Sequence, residues 1–156
     1  MARTTSLSKF KKRLTTQVGE LEYTHEDIFF FKNGIYGFEN LKDFIVTVLP
    51  YADTPEIYRY LQSTEKPNLA LIIMNIVVDL NNSGIIDPKD LRFHLEAHHL
   101  KLEEVAIFLV TSIHNEEGRQ RVSVNTKAPI ILAPNRQEGW QIILDSPAYQ
   151  VKHYLV

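Results

Sequence analysis

The stretch Val124-Asn125-Thr126-Lys127-Ala128-Pro129-Ile130 decides how the sheet of this chain is organised. Before it, apolar and polar residues alternate up to Val124, which predicts a strand with one buried face. After it, Ile130–Ala133 is continuously apolar and predicts a buried strand. Proline cannot donate a hydrogen bond to a sheet, so Pro129 marks an edge, a bulge or a strand start. The stretch is predicted to be a kink that presents Asn125 and Lys127; the alternative is a strand corner with a solvated lysine.

The composition is that of an ordinary globular protein. The chain has 156 residues, of which 44% are hydrophobic and 23% charged, and this length suits one domain. It contains no cysteine, which excludes disulfides, thiolate zinc sites and cysteine nucleophiles and fits a reducing compartment. No apolar run reaches the roughly 20 residues of a transmembrane helix, so we expect no membrane partner.

Charge is distributed unevenly along the chain. The formal net charge is −2, but the first 13 residues carry five basic groups and no acidic one. The rest of the chain holds 12 basic and 19 acidic residues, a net charge of −7. Such an acidic body argues against direct nucleic-acid binding and fits a basic protein partner. The basic start is rich in Ser and Thr, so we predict a disordered extension over residues 1–17 and a single domain over residues 18–156.

Short apolar or alternating segments between glycine, proline and polar turns predict a mostly β protein. The predicted strands cover residues 18–23, 28–31, 44–49, 57–62, 69–74, 105–113, 121–124, 130–133, 140–144 and 151–156. Asp87 followed by Pro88 predicts the start of a helix, because the carboxylate can cap free N–H groups and proline suits the first turn. Leu91 and Leu95 would lie on its buried face. We predict a small antiparallel pseudo-barrel capped by this short helix, which would cover one open end.

Two metal-binding alternatives remain open. Residues 79–90 place oxygen-bearing side chains at positions one, three, five and nine of a calcium loop, with Gly84 at position six. Position twelve is Asp90 rather than glutamate, and a predicted strand precedes the loop where the motif needs a helix. His94 and His98 lie four residues apart on one helix face and could chelate zinc in a small metalloenzyme. The sequence specifies no third ligand, and solvated helix histidines explain the same pattern.

The segment Gly34-Ile35-Tyr36-Gly37-Phe38 is predicted to be a tight aromatic turn. Two glycines three residues apart indicate positive φ or a close backbone approach. For Tyr36, Phe38, Tyr58 and Tyr60 taken singly, core packing is the default interpretation. An interface patch that the four form together is the alternative. The sequence lacks a phosphate loop, a nucleophile elbow and a dinucleotide fingerprint, and we predict no cofactor.

Six segments, in order, resemble the bacterial flagellar assembly factor family FliW, over roughly residues 18–156. They are Phe31-x-x-Gly34-Ile35-x-Gly37-Phe38-Glu39, Leu61-Gln62-Ser63, Leu69-Ala70-Leu71-Ile72, Val124-Asn125-x-Lys127-Ala128-Pro129-Ile130, Gln141-Ile142-Ile143-Leu144-Asp145 and Tyr149-x-Val151-Lys152-His153-x-Leu155. This chain departs from the family pattern in having Lys32 and Tyr36 where prolines are frequent, and Met74-Asn75 where Asp-Pro is usual.

The resemblance implies a cytoplasmic flagellin chaperone and translation regulator without catalytic activity. Such a protein would bind newly made flagellin and, once flagellin is exported, bind the translational repressor CsrA away from its RNA-binding surface. It would thereby relieve repression of flagellin synthesis without touching nucleic acid or membrane itself. The residues expected to bind a partner are those of the aromatic turn and the kink: Gly34, Ile35, Tyr36, Gly37, Phe38, Asn125, Lys127 and Pro129.

Overall fold

The computed structural model describes residues 11–50, 53–78 and 84–155. Within them lie eleven strands and one α-helix, α1, together with 3-10 turns at His25–Asp27, Leu102–Glu104 and Pro134–Arg136. The strands and the helix are β1 Lys12–Thr16, β2 Gly19–Tyr23, β3 Phe29–Phe30, β4 Asp43–Val48, β5 Tyr58–Ser63, β6 Ala70–Ile76, α1 Pro88–Ala97, β7 Ala106–Glu116, β8 Arg119–Val124, β9 Ile130–Ala133, β10 Glu138–Gln141 and β11 His153–Leu155.

Nine of these strands form one sheet that closes on itself. Its order is β11-β8-β7-β6-β5-β4-β3-β10-β9, and β9 also pairs with β7. The pairings therefore complete a ring of seven strands, from β7 through β6, β5, β4, β3, β10 and β9 back to β7. Only the β3–β10 pair among them is parallel. The predicted mostly antiparallel, mostly β fold is confirmed.

The kink lies where one edge of β7 changes its partner. Val124 at the end of β8 pairs with Thr111, whereas Ile130 at the start of β9 pairs with Phe108. If the register of β8 continued, residue 127 would stand opposite Phe108, so the kink holds three additional residues. An enlarged bulge of this kind redirects a strand. The predicted kink in the sheet is confirmed, and it separates the strand outside the ring, β8, from the strand that closes it.

Side chains on the two faces of the closed sheet form two separate clusters. The enclosed cluster contains Phe31, Ile35, Phe44, Leu61, Ile73, Phe108, Ile130 and Leu132. Neighbouring residues in the same strands point the opposite way, because side chains alternate between faces. Those of β7 and β9, Ile107, Leu109, Ile131 and Ala133, pack in a second cluster with Leu91 and Leu95 of α1. The helix thus lies on the outer face of the ring rather than over its open end, where the sequence-based prediction placed it.

The start of α1 follows the predicted chemistry. Asp87 Oδ1 accepts a hydrogen bond from the Lys89 amide at 3.0 Å, and Pro88 occupies the first turn. At the other end, the Arg136 guanidinium donates to the carbonyls of His98 and His99 at 2.8 and 2.7 Å. These two residues directly follow the last residue of the helix. Both helix ends are therefore tied to side chains.

The β1–β2 hairpin differs from the predicted disordered extension. Residues 12–16 pair in register with residues 19–23, and Leu14 and Tyr23 pack on Ile45 of β4. This hairpin covers part of the outer face of β4. The prediction of disorder over residues 1–17 was therefore wrong for Lys12–Thr16, because a single buried leucine within a polar strand gives too weak a pattern. Residues 1–10 lie outside the described residues.

One strand boundary matters for the site. The predicted strand 140–144 is observed as Glu138–Gln141, because the turn at Pro134–Arg136 ends with Gln137 at φ 54°. The next residues still contact the kink through their backbone. Ile142 donates to the Pro129 carbonyl at 3.1 Å and Leu144 donates to the Lys127 carbonyl at 2.8 Å. The segment after β10 therefore runs along the kink.

Candidate functional site

The aromatic turn exposes Tyr36 on a constrained backbone. Gly34 and Gly37 have φ of 66° and 89°, and the Phe38 amide donates to the Ile35 carbonyl at 2.6 Å. The Gly37 amide donates to Glu39 Oε2 at 3.0 Å, and this hydrogen bond is the main reason why the pKa of Glu39 is lowered. Ile35 is buried, whereas Tyr36 is 55% exposed. The predicted glycine turn with positive φ is confirmed.

The kink is held from both sides by hydrogen bonds. Asn125 Oδ1 accepts from the Ala128 amide at 3.0 Å, so the side chain of Asn125 closes the kink. The amides of Thr126 and Lys127 both donate to the Gln150 carbonyl, at 2.9 and 3.2 Å. Pro129 is buried. The side-chain oxygen of Asn125 therefore satisfies a backbone N–H group inside the kink.

Gln141 joins the aromatic turn to the kink. Its Oε1 accepts from the Tyr36 amide at 2.9 Å, and its Nε2 donates to the Ala128 carbonyl at 3.0 Å. The two predicted partner-binding segments are thus neighbours, although they are far apart in sequence. Sequence reasoning assigned Gln141 no role of its own. The available signal was an amide side chain at the start of an apolar segment in one of the six motifs.

The turn and the kink form two walls of a groove, which we call the turn–kink groove. Its volume is about 420 Å³. Its lining is mostly apolar and comprises Ile35, Tyr36, Phe38, Leu71, Val110, Asn125, Lys127, Ala128, Gln141, Ile143 and Val151. Val151 is 69% exposed and Ile143 is 39% exposed, so the rim also offers apolar surface. A concave apolar surface with few polar groups is suited to binding.

The predicted patch of four aromatic residues is divided between three places. Tyr36 and Phe38 line the turn–kink groove. Tyr58, on β5, packs against the outer cluster under α1. Tyr60 lies beside Gln17 and Val18 at a different cavity. The alternative of one shared patch was therefore wrong, because it assumed that aromatic side chains from separate turns and strands would converge.

The calcium alternative gains no support from the described part of its loop. Asp87 caps α1, and Asp90 accepts a hydrogen bond from the Tyr149 hydroxyl. Burial, followed by this hydrogen bond, raises the pKa of Tyr149. Both carboxylates therefore already have partners in the protein. Residues 79–83, which would supply the first ligands, lie outside the described residues.

The two histidines of the zinc alternative have separate environments. The ring of His98 packs on Trp140 with centroids 4.4 Å apart, and the ring of His94 lies against Phe93. Burial, with a further contribution from the Arg136 charge, lowers the pKa of His98. Within residues 11–50, 53–78 and 84–155, no group of three or more His, Cys, Asp or Glu side chains could hold a metal ion. The metalloenzyme alternative is unsupported.

Comparison with known proteins places this fold in a family. A family model described as "FliW protein" matches residues 12–155. The chain belongs to the FliW family. The match begins at the first residue of β1, so the hairpin that the sequence-based prediction missed is part of the region shared with FliW proteins.

Relatives that match over most of their length support the same assignment. The flagellar assembly factor FliW of Caldicellulosiruptor saccharolyticus is 34% identical over 137 residues, which are 88% of this chain and 85% of the relative. That of Thermosipho africanus is 35% identical over 147 residues, covering 92% of this chain and 94% of the relative. A crystal structure of the flagellar assembly factor FliW superposes with a TM-score of 0.68 at 26% identity, covering 93% of this chain and 97% of the other.

These comparisons confirm the predicted family, and the crystal structure shows that the fold is similar as well. The FliW relatives are flagellar assembly factors, and the similarity covers most of both chains. The described residues contain no helix that is long and apolar enough to cross a membrane. The turn–kink groove is built by residues from five of the six motifs that carry the resemblance.

Proposed function

We propose that this FliW-family chain is a cytoplasmic flagellar assembly factor that binds flagellin and, when free, binds and antagonises the repressor CsrA. The observation that carries this proposal is the family match over residues 12–155. In this scheme flagellin and CsrA are alternative partners, so export of flagellin releases the chain to bind CsrA. Synthesis of flagellin then resumes, and the chain performs no catalysis of its own.

The turn–kink groove supports a function in protein binding. Aromatic anchors in a mostly apolar, concave surface are typical of the centres of protein interfaces. Tyr36 is exposed on a backbone that hydrogen bonds hold in place, so it can bind without first being ordered. The turn–kink groove is therefore our candidate site for flagellin.

Flagellin binding is tested directly with purified proteins. We expect a mixture of this chain and monomeric flagellin to elute as one complex in size-exclusion chromatography. Tyr36→Ala should weaken that complex about tenfold, because an aromatic anchor at an interface often contributes more than 1 kcal/mol. Phe93→Ala is the matched control, since Phe93 is 74% exposed on α1 outside the groove. Separate elution at tens of micromolar would contradict the proposal, and equal effects of both variants would exclude the groove.

The charge of the chain supports CsrA as the second partner. Beyond its first 13 residues the chain carries a net charge of −7, and RNA-binding proteins such as CsrA tend to be basic. Opposite charges accelerate association, and salt screens them beyond about 10 Å at 0.1 M. We expect the association rate with CsrA, measured by stopped flow, to fall about tenfold between roughly 0.05 and 0.5 M salt. A rate that stays constant would remove the electrostatic support for this partner.

A further inference from the structure

Lys127 carries a charge for which the described structure offers no partner. Its backbone is fixed on both sides, through the Gln150 carbonyl and the Leu144 amide. The side chain is half-buried and lines the turn–kink groove. Across the part of the chain that the structure describes, the Lys127 ammonium has neither an ion pair nor a hydrogen bond. An unpaired ammonium group beside an apolar groove is stabilised when a ligand supplies the opposite charge.

The remainder of the groove restricts what that ligand can be. Leu71 and Val110 come from the sheet, Ile35 comes from the aromatic turn, and Ile143 and Val151 come from the C-terminal segment. These side chains favour an apolar occupant, since burial contributes about 25 cal/mol per Å² of apolar surface. Among the described residues that line the groove, Lys127 is the only charged one. The lining therefore suits an apolar segment that carries one carboxylate.

Charge also distinguishes between the two partners of the proposed function. A basic surface such as that of CsrA would bring further positive charge towards Lys127, and this repulsion would disfavour it in the groove. A segment with several acidic residues would in turn be repelled by the acidic body. A mostly apolar segment with a single acidic side chain satisfies both conditions. Flagellin is therefore the better candidate for the groove.

We propose that the turn–kink groove holds an apolar segment of flagellin, and that Lys127 forms an ion pair with one Asp or Glu side chain of that segment. This inference rests on the proposed function, because it takes flagellin as the partner. The apolar residues of the segment would supply most of the affinity. The ion pair at the kink would set the direction and register in which the segment lies along the groove.

Charge reversal provides the test. Lys127→Glu should weaken flagellin binding at least tenfold in titration calorimetry, because it removes the ion pair and places two carboxylates together. Lys66→Glu is the matched control: it changes the net charge equally, but Lys66 is exposed on the turn before β6 and does not line the groove. Lys66→Glu should change the affinity less than twofold. Thermal melts of both variants establish that each is folded.

A second arm identifies the residue on flagellin. Each Asp and Glu of flagellin is changed in turn to lysine, and one such variant should restore binding to Lys127→Glu while binding poorly to the unchanged chain. If the unchanged chain binds flagellin but Lys127→Glu and Lys66→Glu bind it equally, the ion pair is overturned and the proposed function stands. If no flagellin variant restores binding, the ion pair is likewise overturned. If the unchanged chain does not bind flagellin at all, the proposed function fails as well.

Discussion

Gly139→Ala should lower the free energy of unfolding by about 3 kcal/mol, one of the two largest effects that we expect from a single substitution in this chain. A Cβ atom at Gly139 would lie 2.4 Å from Phe31 Cζ and 2.5 Å from Phe31 Cε1. The Phe31 ring is only 1% exposed and packs edge-on against Phe44 with centroids 5.3 Å apart. It therefore has no free space into which it could move. Urea unfolding of the two proteins measures the difference.

The cause of this effect can be isolated with a second substitution. Phe31→Leu removes the ring atoms that the new Cβ would meet, at its own cost of about 1–2 kcal/mol. If the clash explains the effect, Gly139→Ala should cost at least about 1 kcal/mol less in the Phe31→Leu background than in the unchanged protein. If the two unfolding free-energy costs simply add, the aromatic ring of Phe31 is not the obstacle, and the substitution acts elsewhere in β10.

Gly139 matters because of its position where the ring of strands closes. It lies on β10, which pairs with β3 on one side and β9 on the other. Phe31 directly follows β3 and fills the enclosed space next to it. Because Gly139 has no side chain, there is room beside it for the aromatic ring of Phe31. The large residue and the glycine therefore pack directly against each other in the core. Packing of this kind is sensitive to the addition of a single methyl group.

Local patterns in the sequence predicted most elements of the fold. Alternation identified the strands around the kink, and the Asp87-Pro88 pair identified the start of α1, because these signals depend only on neighbouring residues. The pairing of β7 with both β8 and β9 could not be predicted in this way. It depends on three additional residues in the kink, whose geometry is fixed by hydrogen bonds to the distant Gln150.

The candidate site was predictable in its parts but not as a whole. Both the aromatic turn and the kink were recognised, because glycine spacing and a proline after polar residues are local signals. Their contact depends on Gln141, whose hydrogen bond with the Tyr36 amide spans 105 residues of sequence. The same limit explains why Tyr58 and Tyr60 were wrongly grouped with Tyr36. Residue type suggested an interface, but only the closed sheet determines which aromatic side chains are neighbours.

Gly34→Ala should combine a loss of stability with a loss of partner binding. A Cβ atom there would lie 2.6 Å from the Glu39 carbonyl oxygen and 2.7 Å from Glu39 Cα. These are backbone atoms, and the Glu39 carbonyl also accepts a hydrogen bond from Lys42 Nζ at 2.6 Å. The φ of 66° adds about 1–2 kcal/mol for a residue with a side chain. We therefore expect unfolding free energy to fall by about 3 kcal/mol in urea titrations.

Gly37→Ala separates the two contributions. Gly37 also has a positive φ, 89°, but a Cβ atom there would have no other atom within 4 Å. This variant should lose only the backbone term of about 1–2 kcal/mol and keep most of its affinity for flagellin. The additional loss of unfolding free energy in Gly34→Ala then measures the cost of the close approach to Glu39. Weaker flagellin binding by the folded Gly34→Ala variant would show that this close approach shapes the turn–kink groove. If both variants lose the same free energy of unfolding, the positive φ alone explains the cost of replacing either glycine. The backbone at Glu39 would then be able to move away from the new Cβ atom.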